Sequence, residues 1–298
     1  MLLRARIVLP ISQPPIADGA VLISGNKISA IGPWAELKSF EATEIFDLGE
    51  SILLPGLVNA HCHLDYTDMA GMIPPTRFFT DWIKSLLALK SNWSYSEYAK
   101  SWSNGAQMLL RTGTTTVADI EAVPELLPEI WAATPLRIFS FLEMTSVKSR
   151  RPAAEILQEV ESKIETSTNP RGRIGLSPHA LYSTTPELLK LAAQESRQKN
   201  WRLTMHVAES IQEFEMFAHQ RGALFDWLKN QRDMSDCGNG SPIQQLEKLE
   251  MLSEMFLAIH VNYLTKGDAE ILSRKKCASF IVPEATVIFG TRIFHTKN

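Results

Sequence analysis

The stretch Leu54-Pro55-Gly56-Leu57-Val58-Asn59-Ala60-His61-Cys62-His63-Leu64 decides how the rest of the chain is read. An apolar run follows a Pro-Gly break and ends in two histidines two residues apart. Alternate side chains of a β-strand share a face, so His61 and His63 project together. Paired imidazoles at a strand end begin a metal site. The plainer alternative is a pair of exposed strand-end histidines.

Upstream, Arg6-Ile7-Val8-Leu9, Ala20-Val21-Leu22-Ile23 and Lys27-Ile28-Ser29-Ala30-Ile31 are separated by Asp18-Gly19 and Gly25-Asn26. This pattern predicts hairpins of a small β domain, part of a β-sandwich, over residues 1–54. Downstream, strand-like runs at 57–61, 114–119, 137–142, 173–176, 202–206, 256–260 and 278–282 alternate with helical stretches such as 95–111, 153–165, 186–199 and 211–221. The alternation predicts βα units around a parallel sheet. The expected fold class is α/β, a (β/α)8 TIM barrel over 55–278 with strands one to about seven represented. Catalytic groups then gather at the C-terminal strand ends. An open doubly wound sheet is disfavoured, because no Gly-rich phosphate loop follows an early strand. Residues 230–241 read as a polar loop.

The 298 residues suffice for one large core or two smaller ones. With 30 basic and 33 acidic residues, no polyanion is implied, and no nucleic-acid partner is expected. Cys62, Cys237 and Cys277 make no disulfide framework and fit a reducing compartment. Arg4, Arg6 and Pro10 interrupt the first residues too early for a signal peptide. No apolar run approaches the roughly 20 residues that cross a bilayer. The expectation is a cytoplasmic protein without membrane contact.

Five of the seven histidines fall at or just past a predicted strand end: His61, His63, His179, His206 and His260. Core packing explains such a set poorly, because buried imidazoles need polar partners. His206 follows Leu203-Thr204-Met205 and supplies a third nitrogen. Glu209, three residues later, suits proton transfer beside a metal-activated water. The plainer alternative is a helix-start carboxylate favoured by the dipole. His260 could polarise a substrate or hold the attacking water, and His179 could touch substrate. Phe78, Phe79, Trp82 and Ile83 either line the pocket or pack a helix on the barrel. His219 reads as solvated, and His295 is assigned no role.

These residues resemble the amidohydrolase superfamily, in the branch of chlorohydrolases and methylthioadenosine/S-adenosylhomocysteine, guanine and aminodeoxyfutalosine deaminase-like enzymes. The resemblance runs over about residues 1–276. It includes Gly25-Asn26-Lys27-Ile28, Pro55-Gly56 through His63, Gly113-Thr114-Thr115-Thr116-Val117, Ser177-Pro178-His179-Ala180, Met205-His206-Val207-Ala208-Glu209-Ser210 and Ile259-His260. It implies one divalent ion, Zn2+ or Fe2+, with His61, His63 and His206 as ligands. Glu209 would shuttle protons. His260 would stabilise the attacking hydroxide or the tetrahedral intermediate, and His179 would contact substrate. The implied reaction is hydrolytic deamination, at a non-peptide C–N bond, of a small aminated heterocycle or nucleoside-like molecule. Family members often form homodimers. No lysine lies near 177–179, which favours a mononuclear site over one bridged by a carbamylated lysine.

The chain departs from the family pattern towards its C-terminus. The family's eighth strand supplies a metal-ligating Asp that has no counterpart here. Phe280-Ile281-Val282-Pro283 stands where the seventh strand usually carries a His-Cys-Pro-like motif. A shifted reading of degenerate codons over 279–295 permits such a motif, so 279–298 reads as an out-of-frame or divergent tail. Two further readings follow: an amidase-like hydrolase of linear or cyclic amides, and a catalytically impaired pseudoenzyme that binds a ligand or partner.

Overall fold

The computed structural model describes residues 1–40 and 44–280. The chain divides into two compact units, residues 1–57 and 58–298.

The first unit is built on β1 (Leu2–Val8), β2 (Ile16–Ser24) and β3 (Lys27–Pro33), paired antiparallel in chain order. Gly25 turns β2 into β3 at φ +60°, a backbone position that suits glycine. After α1 (Trp34–Leu37) come β4 (Ile45–Asp47) and β5 (Ile52–Leu53), and both pair parallel with β1. The hairpin expectation therefore fits β1 to β3 but not β4 and β5. Where a sandwich part was expected, the described residues form one five-stranded sheet. Leu2, Ala20 and Leu37 make one small core, and Ala5, Val8 and Val21 another.

The second unit holds β6 (Leu57–Cys62), β7 (Thr114–Glu121), β8 (Arg137–Met144), β9 (Arg173–Pro178), β10 (Leu203–Val207), β11 (Phe256–His260) and β12 (Ala278–Phe280). Among the described residues these make a seven-stranded parallel sheet, ordered in space as in sequence and curved into a nearly closed barrel. The order never reverses, which excludes the doubly wound alternative. Every residue of β10 is buried, as expected for a parallel strand covered on both faces.

Helices α2 (Phe79–Lys90) and α3 (Tyr95–Arg111) separate β6 from β7. The Ser94/Glu97 capping box starts α3, and its buried face carries Tyr98, Ser101, Trp102, Gly105 and Ala106 at helical spacing. Gly105 is required there, because a Cβ would collide with Thr67 and Leu64. The remaining helices are α4 (Leu127–Ala132), α5 (Ala153–Thr166), α6 (Pro186–Lys199), α7 (Ile211–His219), α8 (Ala223–Leu228), α9 (Pro242–Lys248) and α10 (Asp268–Arg274). None among the described residues is long and apolar enough to cross a membrane.

Several boundaries differ from expectation. β6 runs one residue further, to Cys62; β7, β8 and β9 each run two further, to Glu121, Met144 and Pro178; and β10 is displaced by one residue. Ser279 and Phe280 pair with Ala258 and Ile259 of β11. The rest of the predicted strand 278–282 and of the tail 279–298, with His295, lies outside the described residues.

Candidate active site

The C-terminal strand ends surround a cavity of about 260 Å3. His61 comes from β6 and His63 from the residue after it. His179 follows β9, His206 lies on β10, Glu209 lies in the turn after it, and His260 ends β11. The structure thus brings the expected histidines and Glu209 into one place.

One ring nitrogen each of His61, His63 and His206 lies within 4.8 Å of the others. His63 Nε2 and His206 Nε2 are 3.1 Å apart. His206 Nδ1 donates to the backbone carbonyl of His179 at 2.9 Å, which leaves Nε2 as a lone-pair donor facing His63. Burial, together with repulsion from neighbouring imidazoles, holds His61 and His63 well below the usual histidine range. Burial also lowers His206, against an opposing hydrogen bond to the His179 carbonyl. Neutral imidazoles present lone pairs, and their convergence fits one divalent ion. The buried Nδ1 atoms of His61 and His63 have no hydrogen-bond partner among the described residues, so none of these competes to reorient the rings.

Glu209 is largely buried, its side chain 11% exposed, and burial with repulsion from Glu213 pushes its carboxyl up to about 8. Its Oε1 lies 3.7 Å from His260 Nε2. Burial, then His206, His61 and His179, push His260 down to about 2, so it is a neutral imidazole. Ala208, His260 and Val261 adopt left-handed backbone at φ +48°, +74° and +49°. Such strain in non-glycine residues concentrates where the fold fixes functional groups. Ser210 caps α7 by accepting Glu213 N at 3.2 Å, which brings the Glu213 carboxylate back under the strained turn. His179 Nδ1 and Ser183 Oγ share a hydrogen bond of 2.8 Å. Burial takes His179 down to about 3 against the opposing charge of Glu143.

The turn after His63 is anchored from the next strand. Buried Asp119 of β7 accepts Leu64 N and Trp102 Nε1, both at 2.8 Å. The turn that follows the paired histidines is therefore tied to β7 through a carboxylate that α3 holds in place.

Sequence reasoning missed part of the wall. Tyr66, Lys90, Glu143, Lys148, Trp227 and Leu228 also line the cavity. Trp82 and Ile83 line it as expected, but Phe78 and Phe79 do not: Phe78 is exposed and Phe79 is sealed in the core. Residues 82, 86 and 90 lie one turn apart on α2 and turn the same stripe to the cavity, whereas Phe79 is on the core-facing side. Tyr66 stacks on His63, with centroids 5.1 Å apart and planes at 5°. Burial raises the Glu143 carboxyl, but Lys90, His179 and His206 outweigh it and hold the group below its usual range.

Several known proteins with similar sequences are named as deaminases. A 5-methylthioadenosine/S-adenosylhomocysteine deaminase of Carboxydothermus hydrogenoformans is 22% identical over 98% of this chain and 64% of its own length. The protein of the same name from Moorella thermoacetica is 27% identical over 100% of this chain and 66% of its own length. The chain thus spans just under two thirds of the length of these relatives. Among solved structures, Helicobacter pylori aminofutalosine deaminase in complex with methylthio-coformycin superposes with a TM-score of 0.83 at 18% identity, covering 98% of this chain and 72% of that one. A zinc-bound adenosine deaminase from Xanthomonas campestris gives 0.77 at 17% identity, covering 97% and 64%. These likenesses carry the fold. The amidohydrolase family model matches residues 52–279, from β5 to β12, and the chain belongs to that family.

Proposed function

We propose that this protein is a metal-dependent aminohydrolase that removes an amino group, by hydrolysis of a non-peptide C–N bond, from a small aminated heterocycle or nucleoside-like substrate. The observation that carries the proposal is the convergence of His61, His63 and His206 beside the 3.7 Å Glu209–His260 pair. The family match and the deaminase names of the relatives support it. The three histidines would hold one divalent ion, Zn2+ ahead of Fe2+. Such an ion, when bound, supplies a water of lowered pKa as nucleophile.

The chain's own groups account for the rest. Glu209 lines the cavity with a carboxyl pushed up to about 8, suited to taking a proton from the nucleophile and returning it to the leaving nitrogen. His260 Nε2, neutral and without a hydrogen-bond partner among the described residues, orients the attacking oxygen. His179, fixed by Ser183, contacts the ring, and Trp82 covers it on the apolar side. Residues 55–278 would carry the chemistry, with residues 1–54 as the small β domain. The reading extends to a cytoplasmic homodimer.

The test is metal content followed by ammonia release. The 298-residue protein, reconstituted with zinc, is expected to retain about one ion per chain and to release ammonia from at least one of adenosine, 5′-methylthioadenosine or guanine. Failure to hold stoichiometric metal overturns the proposal, as does loaded protein that releases no ammonia across such a panel.

A further inference from the structure

Glu143 and Lys90 form a charged pair in the cavity wall that the proposed chemistry does not use. Glu143 lies near the C-terminal end of β8, and Lys90 is the last residue of α2. Their side chains are 12% and 22% exposed, and Lys90 Nζ lies 3.9 Å from Glu143 Oε1. Lys90 is otherwise engaged: its ammonium donates to Tyr66 Oη and lies 4.6 Å from the centre of that ring. The Glu143 carboxylate accepts no hydrogen bond from any described residue. A nearly buried carboxylate requires donors, and an ion pair at 3.9 Å does not provide them. The open side of the group is the cavity, so the missing donors belong to whatever enters it.

The chemistry of that entrant is constrained. Lys90 already balances the charge, so the pair has no net charge with which to select a cation. It offers two acceptor oxygens side by side, which match two neighbouring neutral donors. Trp82, Leu86, Val147 and Leu228 make much of the remaining wall apolar, and its hydroxyls, Thr145 and Ser183, are neutral acceptors weaker than a charged carboxylate. His179 and His206 bear on Glu143 electrostatically, so the acceptor lies on the same side of the cavity as the histidine cluster.

We infer that Glu143 is a specificity-determining acceptor for adjacent hydroxyl groups on the substrate, and that Lys90 is the positioning residue that keeps this carboxylate charged and aimed. The inference rests on the aminohydrolase reading above and narrows its substrate to molecules carrying a vicinal diol beside the aminated ring.

The test compares the binding of adenosine and 2′,3′-dideoxyadenosine to the zinc-loaded full chain by calorimetry. Glu209→Gln is present throughout to prevent turnover. Adenosine is expected to bind roughly 10-fold tighter or better, since hydrogen bonds to a charged group have about that value. Glu143→Gln, and separately the double replacement Glu143→Leu with Lys90→Met, should remove most of that ratio while leaving dideoxyadenosine affinity and metal content unchanged. The double replacement leaves no unpaired charge in the wall, so a folding failure of one variant leaves the other to decide. Equal binding of both nucleosides to the parent overturns the inference alone, as does a ratio that survives both variants. Absence of binding by either nucleoside overturns the nucleoside-like reading together with this inference.

Discussion

The carboxylate of Glu213 accepts the backbone N–H of Glu209 at 2.9 Å and that of Ala208 at 3.1 Å. A residue on the first turn of α7 thus grips the strained turn that presents the proposed proton carrier. Glu213 is itself buried, and burial, against those two hydrogen bonds, pushes its carboxyl up to about 7. Replacing it with alanine strands two buried donors, each at a cost of about 1–3 kcal/mol. Glu213→Ala should lower unfolding free energy by roughly 2–4 kcal/mol in urea titration and reduce turnover. Glu213→Gln, which keeps one acceptor, should lose less. Equal stability of the alanine variant and the parent would contradict this account of the turn.

The pH dependence of stability follows from Glu209. Its folded-state value, about 8, lies above the ordinary 4.5, so burial favours the protonated form. The stability tied to that proton is complete below about pH 4.5 and is lost as pH rises through about 8. Glu209→Gln removes the ionisation cost. In metal-free protein, melting temperatures of variant and parent should match near pH 4.5, and the variant should gain steadily towards pH 9. The gain corresponds to on the order of 5 kcal/mol. A difference independent of pH would show that the carboxyl is not desolvated.

Metal removal should destabilise the barrel. A ligand present at 100 times its dissociation constant adds about 2.7 kcal/mol to the folded state. Chelation should therefore lower the melting temperature by several degrees, and added zinc should restore it. His63→Gln should hold substoichiometric metal and show no chelator effect. A parent melt that ignores both chelator and zinc would remove His61, His63 and His206 from the role of ligands.

Asp119 should matter to metal retention without touching the ion. Asp119→Ala leaves Leu64 N and Trp102 Nε1 without their acceptor. A loss of about 2–4 kcal/mol is expected from two stranded buried donors, together with weaker zinc binding because the turn after His63 loosens. Calorimetric zinc titration checks the second effect. Unchanged affinity would mean that the turn holds itself.

The histidines were legible because each closes an apolar run, and apolar runs are what a buried parallel strand looks like in sequence. Glu143 was not legible, because a glutamate after Arg137–Leu142 reads as the end of the strand. In the structure β8 continues through it, and Glu121 extends β7 past Asp119 in the same way. Charged residues are rare inside strands, so here the carboxylates hid the positions a barrel uses for its site. Trp227 was hidden for another reason: α8 spans only Ala223–Leu228, too short to show a helical period. Phe78 and Phe79 drew attention by their size, but the phase of α2, invisible until its start at Phe79 is known, turned Trp82 and Lys90 to the cavity instead.

The bond that fixes His206 has an evolutionary consequence. Its acceptor is the main-chain carbonyl of residue 179, which every amino acid supplies, proline included. Mutation at 179 can change what the cavity wall offers an incoming molecule without releasing the ring of His206. Drift in substrate preference at this wall is thereby uncoupled from the geometry of the three converging histidines, so a lineage can exchange one preference for another while inheriting the same ring in the same place.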